Sequence, residues 1–395
     1  MQKHYIVIGS SAAGLGAAGK LRSLDSSARI TCVTAEKVMP YNRCLLADHL
    51  SGSRSAEQVA TKPQSFFDEN NITLMLNSRV VQLDAQAQTI TLANGTNFGY
   101  DKLFLGTGRS SFVPNIPGFK SEGVFPFFDF DDVTNILAYI KQHNVKHATI
   151  VGAGLSGLEC ADALSAHGLG LTVVEREAHV LARQIDQAGA QHIASLMAQR
   201  GITLLTSTSV QEIITHNNTV AAAQLNNGTV VPTGMVIFAI GGKTNLELAH
   251  QAGLVIEDGG IVTTPHMQTS NPTIFAGGDI CRVYDLVTGG TTLSTLWPDA
   301  VQQGMVAAQT MAGVEKTYAG TINITSSNIF GTTFVTCGPT SKPNGFEQLI
   351  KKEADFYHRL LVHNGMLKGF IMVGNVQGVG QLRKALVSQE ACFGL

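Results

Sequence analysis

Two glycine-rich turns, each entered from an apolar strand and followed by an acidic residue, are the groups in this chain best suited to chemistry. The first runs from residues 5–8 into Gly9-Ser-Ser11-Ala12-Ala13-Gly14, with Glu36 downstream. The second runs from residues 149–151 into Gly152-Ala-Gly154-Leu155-Ser156-Gly157, with Glu175 downstream. Glycine at such a turn lets the backbone approach a pyrophosphate, and the following helix adds unpaired amides and its positive dipole end. A carboxylate about 20 residues on can accept hydrogen bonds from ribose hydroxyls. Glu36 follows Gly14 by 22 positions and Glu175 follows Gly157 by 18. In the first turn Ser11 stands where a middle glycine is usual, so that backbone approaches a phosphate less closely. Either turn alone could be an ordinary strand–helix connection. A matched pair, 143 positions apart, implies two dinucleotides on one polypeptide and electron transfer between them.

The elements that must position these turns are legible in outline. Strands are expected at 4–9, 29–34 and 101–107, with a small-residue helix over 12–24. A polar stretch at 51–65 precedes a short strand at 72–75, and residues 87–99 form a hairpin with Asn94-Gly95 as its turn. Pro114, Pro117 and Gly118 mark a crossing between domains. Residues 148–240 repeat the plan: strand, glycine turn, helix, strand 171–175, helix 185–200, strand 202–206, a hairpin around Asn227-Gly228 and strand 235–240. From about 319, short strands (329–337, 356–362, 366–373) precede a helical pattern near 378–390. The expected class is α/β: two doubly wound, Rossmann-like dinucleotide-binding domains plus a small C-terminal α+β domain.

Composition narrows the function. With 395 residues, 44% hydrophobic and 14% charged, the chain is long enough for two or three well-cored globular domains. A net charge of −2 gives no reason to expect nucleic acid or an anionic membrane as partner. No run of 18 apolar residues suggests a membrane span, and the strand at residues 5–8 begins too early for a signal peptide, so the expectation is a cytoplasmic protein. The six cysteines are Cys32, Cys44, Cys160, Cys281, Cys337 and Cys392, scattered without a CxxC pair. Reduced thiols and no metal site are therefore expected.

Taken together, these motifs resemble the FAD-dependent pyridine nucleotide oxidoreductases over essentially the whole chain. Residues 101–108 (Asp-Lys-Leu-Phe-Leu-Gly-Thr107-Gly108) resemble the strand–turn that returns the chain to the FAD domain, and 235–242 (Met-Val-Ile-Phe-Ala-Ile-Gly-Gly242) its counterpart closing the NAD domain. Residues 269–279 (Thr-Ser-Asn-Pro-Thr-Ile-Phe-Ala-Gly-Gly278-Asp279) match the late FAD fingerprint, in which a buried strand delivers a carboxylate to a ribityl hydroxyl. Trp297-Pro-Asp-Ala300, followed by Gln303-Gly304, looks like the helix start the family aims at the flavin pyrimidine edge, where the dipole would stabilise developing negative charge. The resemblance implies an FAD domain at 1–113 and 243–318, an NAD(H) domain at 114–242 and an interface domain at 319–395, the last often the homodimer contact. It leaves oligomeric state open, a homodimer being one outcome.

Residues 40–52 (Pro-Tyr-Asn-Arg43-Cys44-Leu-Leu-Ala-Asp-His-Leu-Ser-Gly) carry the finer resemblance. They are similar to the flavin part of NADH-dependent nitrite reductases and to NADH:rubredoxin-type reductases, in which the arginine matching Arg43 lies against the FAD pyrophosphate. The Arg-Gln-Ile-Asp186 run adds to that likeness. Lacking any sirohaem or iron–sulfur region, this sequence is not expected to reduce nitrite alone. Cys44 falls where coenzyme A-disulfide reductases, persulfide reductases and water-forming NADH oxidases carry one redox cysteine. Around it Pro40, Arg43 and Leu-Leu-Ala-Asp depart from their pattern, leaving two readings, a redox thiol or a small apolar filler. Lys20 and Arg22 fall where coenzyme A-binding members place basic residues. Cys160 reads as packing and Cys392 as incidental. Glu159 matches a glutamate that faces the nicotinamide in family members, or is an exposed helical Glu. Glu175 repels a 2′-phosphate and favours NADH over NADPH.

The resemblance thus implies an NADH-dependent FAD oxidoreductase in which hydride passes to flavin N5, the cofactors carrying the chemistry and the fold positioning them. Electrons would leave for an external acceptor, a redox protein or small molecule. Alternatively they would pass through Cys44 to a disulfide, persulfide or oxygen. A third reading is a non-enzymatic NADH-sensing flavoprotein scaffold.

Overall fold

The computed structural model describes residues 2–388, and its chain divides into two compact units. The first comprises Met1–Cys44, Ala56–Ser110 and Lys243–Thr321, and the second Leu45–Ser55, Ser111–Gly242 and Ile322–Leu395. The sequence division assigned 45–55 to the first fold and made 319–395 a domain of its own. In the structure Leu45–Ser55 sits with the second unit, where His167 Nε2 lies 2.6 Å from the Leu50 carbonyl oxygen. The terminal segment joins the same unit by side-chain bonds to helices Leu155–Ser165 and Gln187–Gln199, described below.

The first unit is built on a five-stranded parallel sheet in the order Ile274–Ala276, Lys102–Leu105, His4–Ile8, Arg29–Val33, Ile72–Met75. Its central strand reads Tyr5, Ile6, Val7, Ile8, all buried, the continuous apolar run of a strand covered on both faces. Helix Ala12–Leu24 crosses over from that strand to the next, as in a doubly wound fold. Its small residues serve packing: a Cβ on Gly16 would lie 2.6 Å from the Val301 carbonyl, and one on Gly304 would lie 2.0 Å from that of Ala13. Helix Trp297–Met311 therefore lies backbone to backbone against it. Arg22, matched by position to a coenzyme A contact, instead ties this helix to two loops, donating to the carbonyls of Asp25, Ser26, Ala28, Asn70 and Asn71.

The second unit repeats the plan with a parallel sheet ordered Thr203–Leu205, Gly170–Val174, His147–Val151, Met235–Phe238, Val124–Pro126. Helix Phe130–His143 begins with a capping box, Asp129 accepting from the Asp132 amide and Asp132 from the Asp129 amide. An antiparallel five-stranded sheet completes the unit: Thr325–Ile329, Thr332–Cys337, Met366–Val373, Tyr357–His363, Glu347–Lys352. The single strand expected over 329–337 is two, because Phe330 (φ 54°) and Gly331 (φ 75°) turn the chain between Ile329 and Thr332. Strand Glu347–Lys352 carried no alternation to announce it. Cys392 and the end of the helix expected over 378–390 lie outside the described residues; Val379–Ser388 is helical.

Candidate functional site

Both glycine turns fold as strand, left-handed glycine, helix. Gly9 (φ 99°) and Gly152 (φ 103°) hold a conformation that an L side chain rarely adopts. Gly14 and Gly157 press their helices onto the turn: a Cβ on Gly14 would stand 1.7 Å from the Gly9 carbonyl oxygen, and on Gly157 1.9 Å from that of Gly152. Around Gly154 there is open space, with nothing within 4 Å of where a Cβ would be. The two helices start at Ser11 and Gly154, and neither residue makes a side-chain cap bond. Helices Phe130–His143 and Gln187–Gln199 by contrast are closed by Asp129 and Asp186. The first-turn amides at Ala12, Ala13, Leu155 and Ser156 are thus left without a side-chain stopper, the arrangement that receives an anion when it follows a glycine turn.

In the first unit several sequence-predicted residues converge. Gly278 (φ 80°) is wedged between two helix starts, its would-be Cβ 3.2 Å from that of Ala13 and 3.8 Å from that of Ala300. The next residue, Asp279, is largely shielded. Burial raises its carboxyl above the usual range, while the positive fields of Arg109 and Arg43 partly oppose that shift. Helix Trp297–Met311 opens with proline in its first turn and no side-chain cap at Leu296, and Asp299 is held by the hydroxyls of Ser294 (2.6 Å) and Thr321 (2.5 Å). Thr107 and Asn245 lock the strand turn reciprocally, Thr107 Oγ1 donating to the Asn245 carbonyl (2.8 Å) and Asn245 Nδ2 to that of Thr107 (2.9 Å). Gly108 (φ 60°) faces open space. Glu36 is engaged within the protein: Arg43 Nη2 donates to its Oε1 at 2.5 Å, and Tyr41 Oη lies 3.3 Å from the same atom.

The sequence named Gln303 only as part of the helix start, without its role here, and passed over Arg109. Gln303, fully buried, accepts from the Gly278 amide at 2.7 Å and so fixes the turn that presents Asp279. Arg109 supplies part of the positive field on that carboxyl. An arginine directly after a glycine turn was the available signal for Arg109.

In the second unit Glu175 accepts from the Ala153 amide (2.5 Å) and the Glu177 amide (2.8 Å), so the carboxylate sits over the glycine turn. Arg176, beside it, is well exposed and pairs with Glu177 at 3.2 Å. Glu159 is not the exposed helical residue of the alternative reading. It accepts from Ser327 Oγ at 2.7 Å, and burial raises its carboxyl above the ordinary 4.5, with the Asp48 charge adding to the shift. Gly242, half-buried, opens the strand Gly242–Thr244.

Cys44 lies in the 3-10 turn Arg43–Leu45 and is exposed, its amide held by Asn42 Oδ1 at 3.0 Å. Cys32, Cys160, Cys281 and Cys337 are buried. Burial lifts the Cys32 thiol to about 12 and raises those of Cys160 and Cys281 as well. No described helix is long and apolar enough to cross a membrane.

The donor sets fit two dinucleotides: uncapped helix starts for pyrophosphates, a buried carboxyl at Asp279 for a hydroxyl, and open space beside Gly154. Comparison with known proteins agrees. The family model described as pyridine nucleotide-disulphide oxidoreductase matches residues 3–304. The NADH oxidase of Methanocaldococcus jannaschii is 34% identical over 330 residues, covering 82% of this chain and 73% of that protein. The rubredoxin-NAD(+) reductase of Pseudomonas putida is 29% identical, covering 78% of this chain and 80% of that one. Among solved structures, the NAD-dependent persulfide reductase from A. fulgidus superposes with a TM-score of 0.92 at 27% identity, covering 98% of this chain and 77% of that chain. The chain therefore belongs to the pyridine nucleotide-disulphide oxidoreductase family and is an NAD(P)H-dependent flavoprotein oxidoreductase that uses FAD and NADH.

Proposed function

We propose that this protein oxidises NADH and delivers the electrons to an external acceptor, a small redox protein of the rubredoxin kind. FAD, when bound, supplies the hydride-accepting and electron-relaying chemistry. The protein's part is to hold and polarise. The turn at Gly9, whose own amide bonds the Val33 carbonyl, and the amides of Ser11, Ala12, Ala13 and Gly14 would receive the FAD pyrophosphate, with Arg43 beside it. Asp279, Thr107, Gly108, Gly278 and the helix start at Trp297 and Ala300 would hold the remaining flavin groups. The turn Gly152, Gly154, Leu155, Ser156 and Gly157 would receive NADH, with Glu175 on its ribose and Glu159 and Gly242 toward the nicotinamide.

The observation that carries the choice of acceptor is the commitment of Arg43. Its guanidinium bonds Glu36 at 2.5 Å, a pairing that favours the segment as a nucleotide clamp over one that activates the neighbouring thiol. The likeness to the Pseudomonas putida reductase supports the same reading. Cys44, the exposed one among the described cysteines, favours a second: a thiol that relays electrons to a disulfide, persulfide or oxygen.

One experiment separates them. The yellow holoprotein is reduced anaerobically with NADH, then mixed with rubredoxin, a disulfide, a persulfide or oxygen, for wild type and Cys44→Ser. Rubredoxin turnover retained in the variant supports the first reading. Turnover confined to sulfur acceptors or oxygen and abolished by Cys44→Ser replaces it with the second.

A further inference from the structure

The first turn of helix Trp297–Met311 contains a carboxylate that the helix itself does not use. Asp299 stands at the third helical position, where an acidic side chain ordinarily turns back to cap an orphan amide. Here the hydrogen bonds it accepts run away from the helix, from the hydroxyls of Ser294 (2.6 Å) and Thr321 (2.5 Å), which share its Oδ2. Both hydroxyl residues are buried, and their oxygens lie 3.5 Å apart. One segment before the helix and one after it are thus committed to holding a single carboxylate off the helix end.

The carboxylate also has buried polar neighbours. The Tyr318 hydroxyl faces Asp299, Gln303 and Thr321, and burial, with the Asp299 charge adding to it, pushes the phenol up. Gln303, fully buried, turns its amide oxygen to the Gly278 amide at 2.7 Å. Its Nε2 and Tyr318 Oη are both buried without a closed hydrogen bond. One polar cluster therefore joins Asp299 to the turn that presents Asp279. A charge enclosed in this way is screened far less than one on the surface.

We propose that Asp299 sets the reduction potential of the bound flavin, its fixed negative charge opposing the helix dipole and making the flavin a stronger reductant. This rests on the placement of that helix start at the flavin given above. The positive end of a helix favours the charge a flavin gains on reduction, which raises the potential. A carboxylate in the first turn subtracts from that effect. Ser294 and Thr321 hold it there without letting it occupy the helix amides, so the end still receives the flavin while its field is trimmed. An acid that served only the helix would need neither buried hydroxyl, because an exposed Asp gains the same dipole energy. The lowered potential gives less drive to hydride transfer from NADH and more to electron delivery onward.

Trp297, the chain's one tryptophan, separates the placement from the charge. Adding FAD to the apoprotein should abolish most of its emission; persisting emission overturns the placement and the proposal with it. The midpoint potential of the flavin-loaded protein is then read anaerobically against a reference dye. Asp299→Asn raises it by the equivalent of about tenfold in the ratio of affinities for reduced and oxidised flavin, about 30 mV for a two-electron couple. Asp299→Ser, a second neutral variant, raises it likewise, both with unchanged circular dichroism. Ser294→Ala loosens the carboxylate but keeps its charge, and shifts the potential by less than half as much. With Trp297 quenched, neutral variants that stay within about twofold of wild type on that scale overturn the proposal alone. A shift in Ser294→Ala as large as theirs does the same.

Discussion

Gly154→Ala separates nucleotide binding from folding more cleanly than any other substitution in the chain. Gly154 has φ −74° and ψ −174°, a backbone alanine adopts without strain, and nothing lies within 4 Å of the added methyl. The folded state therefore loses little, up to about 1 kcal/mol for a poorer residue at the helix start. In a unit of this size that lowers Tm by about 2–4 °C. The methyl does, however, occupy the space a pyrophosphate needs to reach the amides at about 2.8 Å. Losing one charge-assisted hydrogen bond costs about 1.5–3 kcal/mol. At about 1.4 kcal/mol per tenfold, KM for NADH rises about ten- to hundredfold. Because the turn belongs to the second unit, flavin content stays at the wild-type level. The comparison is Gly157→Ala, whose methyl would stand 1.9 Å from the Gly152 carbonyl oxygen. There the helix must shift by more than about 1 Å, and overpacking of this kind costs about 1–3 kcal/mol. Steady-state kinetics with flavin quantitation and a melting curve give all three readouts. An unchanged KM in a normally folded Gly154→Ala protein would refute the placing of NADH at this turn.

Asp186→Ala should destabilise the second unit by about 3–5 kcal/mol in urea unfolding, because it removes a helix cap, the partner of Tyr357 Oη (2.6 Å) and the counter-charge of the buried Arg359 (3.3 Å); a loss below about 1 kcal/mol would show that the cluster does not anchor the terminal sheet. Glu159→Gln should stabilise the protein increasingly as pH rises above 4.5. Burial holds the folded carboxyl protonated to higher pH than the unfolded one, so the wild type loses stability from 4.5 up to its raised value and the glutamine variant does not; equal melting curves of the two proteins across that window would contradict it. Peptide mapping after brief iodoacetamide treatment of folded protein should find Cys44 labelled, with Cys32, Cys160, Cys281 and Cys337 spared until denaturant is added.

Much of the fold was legible because its signals are local. A continuous apolar run, a glycine whose conformation demands it and a small-residue helix all lie within about 20 residues of one another at each turn. The helix over 12–24 and the hairpin with Gly95 at its turn fall where spacing placed them. Local reading failed where the strand had no face to reveal. Residues 347–352 are exposed on both sides, so neither alternation nor an apolar run marks them. The expected strand over 329–337 read through a tight turn because Phe330, an apolar residue with positive φ, imitates strand composition.

The polar groups that tune the candidate site were hidden for a different reason. Gln303 reaches Gly278 across 25 residues, Ser327 reaches Glu159 across 168, and Tyr357 reaches Asp186 across 171. Each is one hydrogen bond between residues whose types are commonplace, and no period or motif can announce such a pair. Yet each bears on a group the sequence did pick out: the turn that carries Asp279, the carboxyl of Glu159, the run that ends in Asp186. On the proposed reading the glycine turns receive the two nucleotides, and they were legible because backbone conformation demands particular residues there. How tightly Asp279 and Glu159 hold their protons depends instead on buried partners and charges brought from distant segments, and family members that share the turns are free to differ there. Divergence of acceptor within one architecture is then expected to follow these long-range contacts rather than the fingerprints.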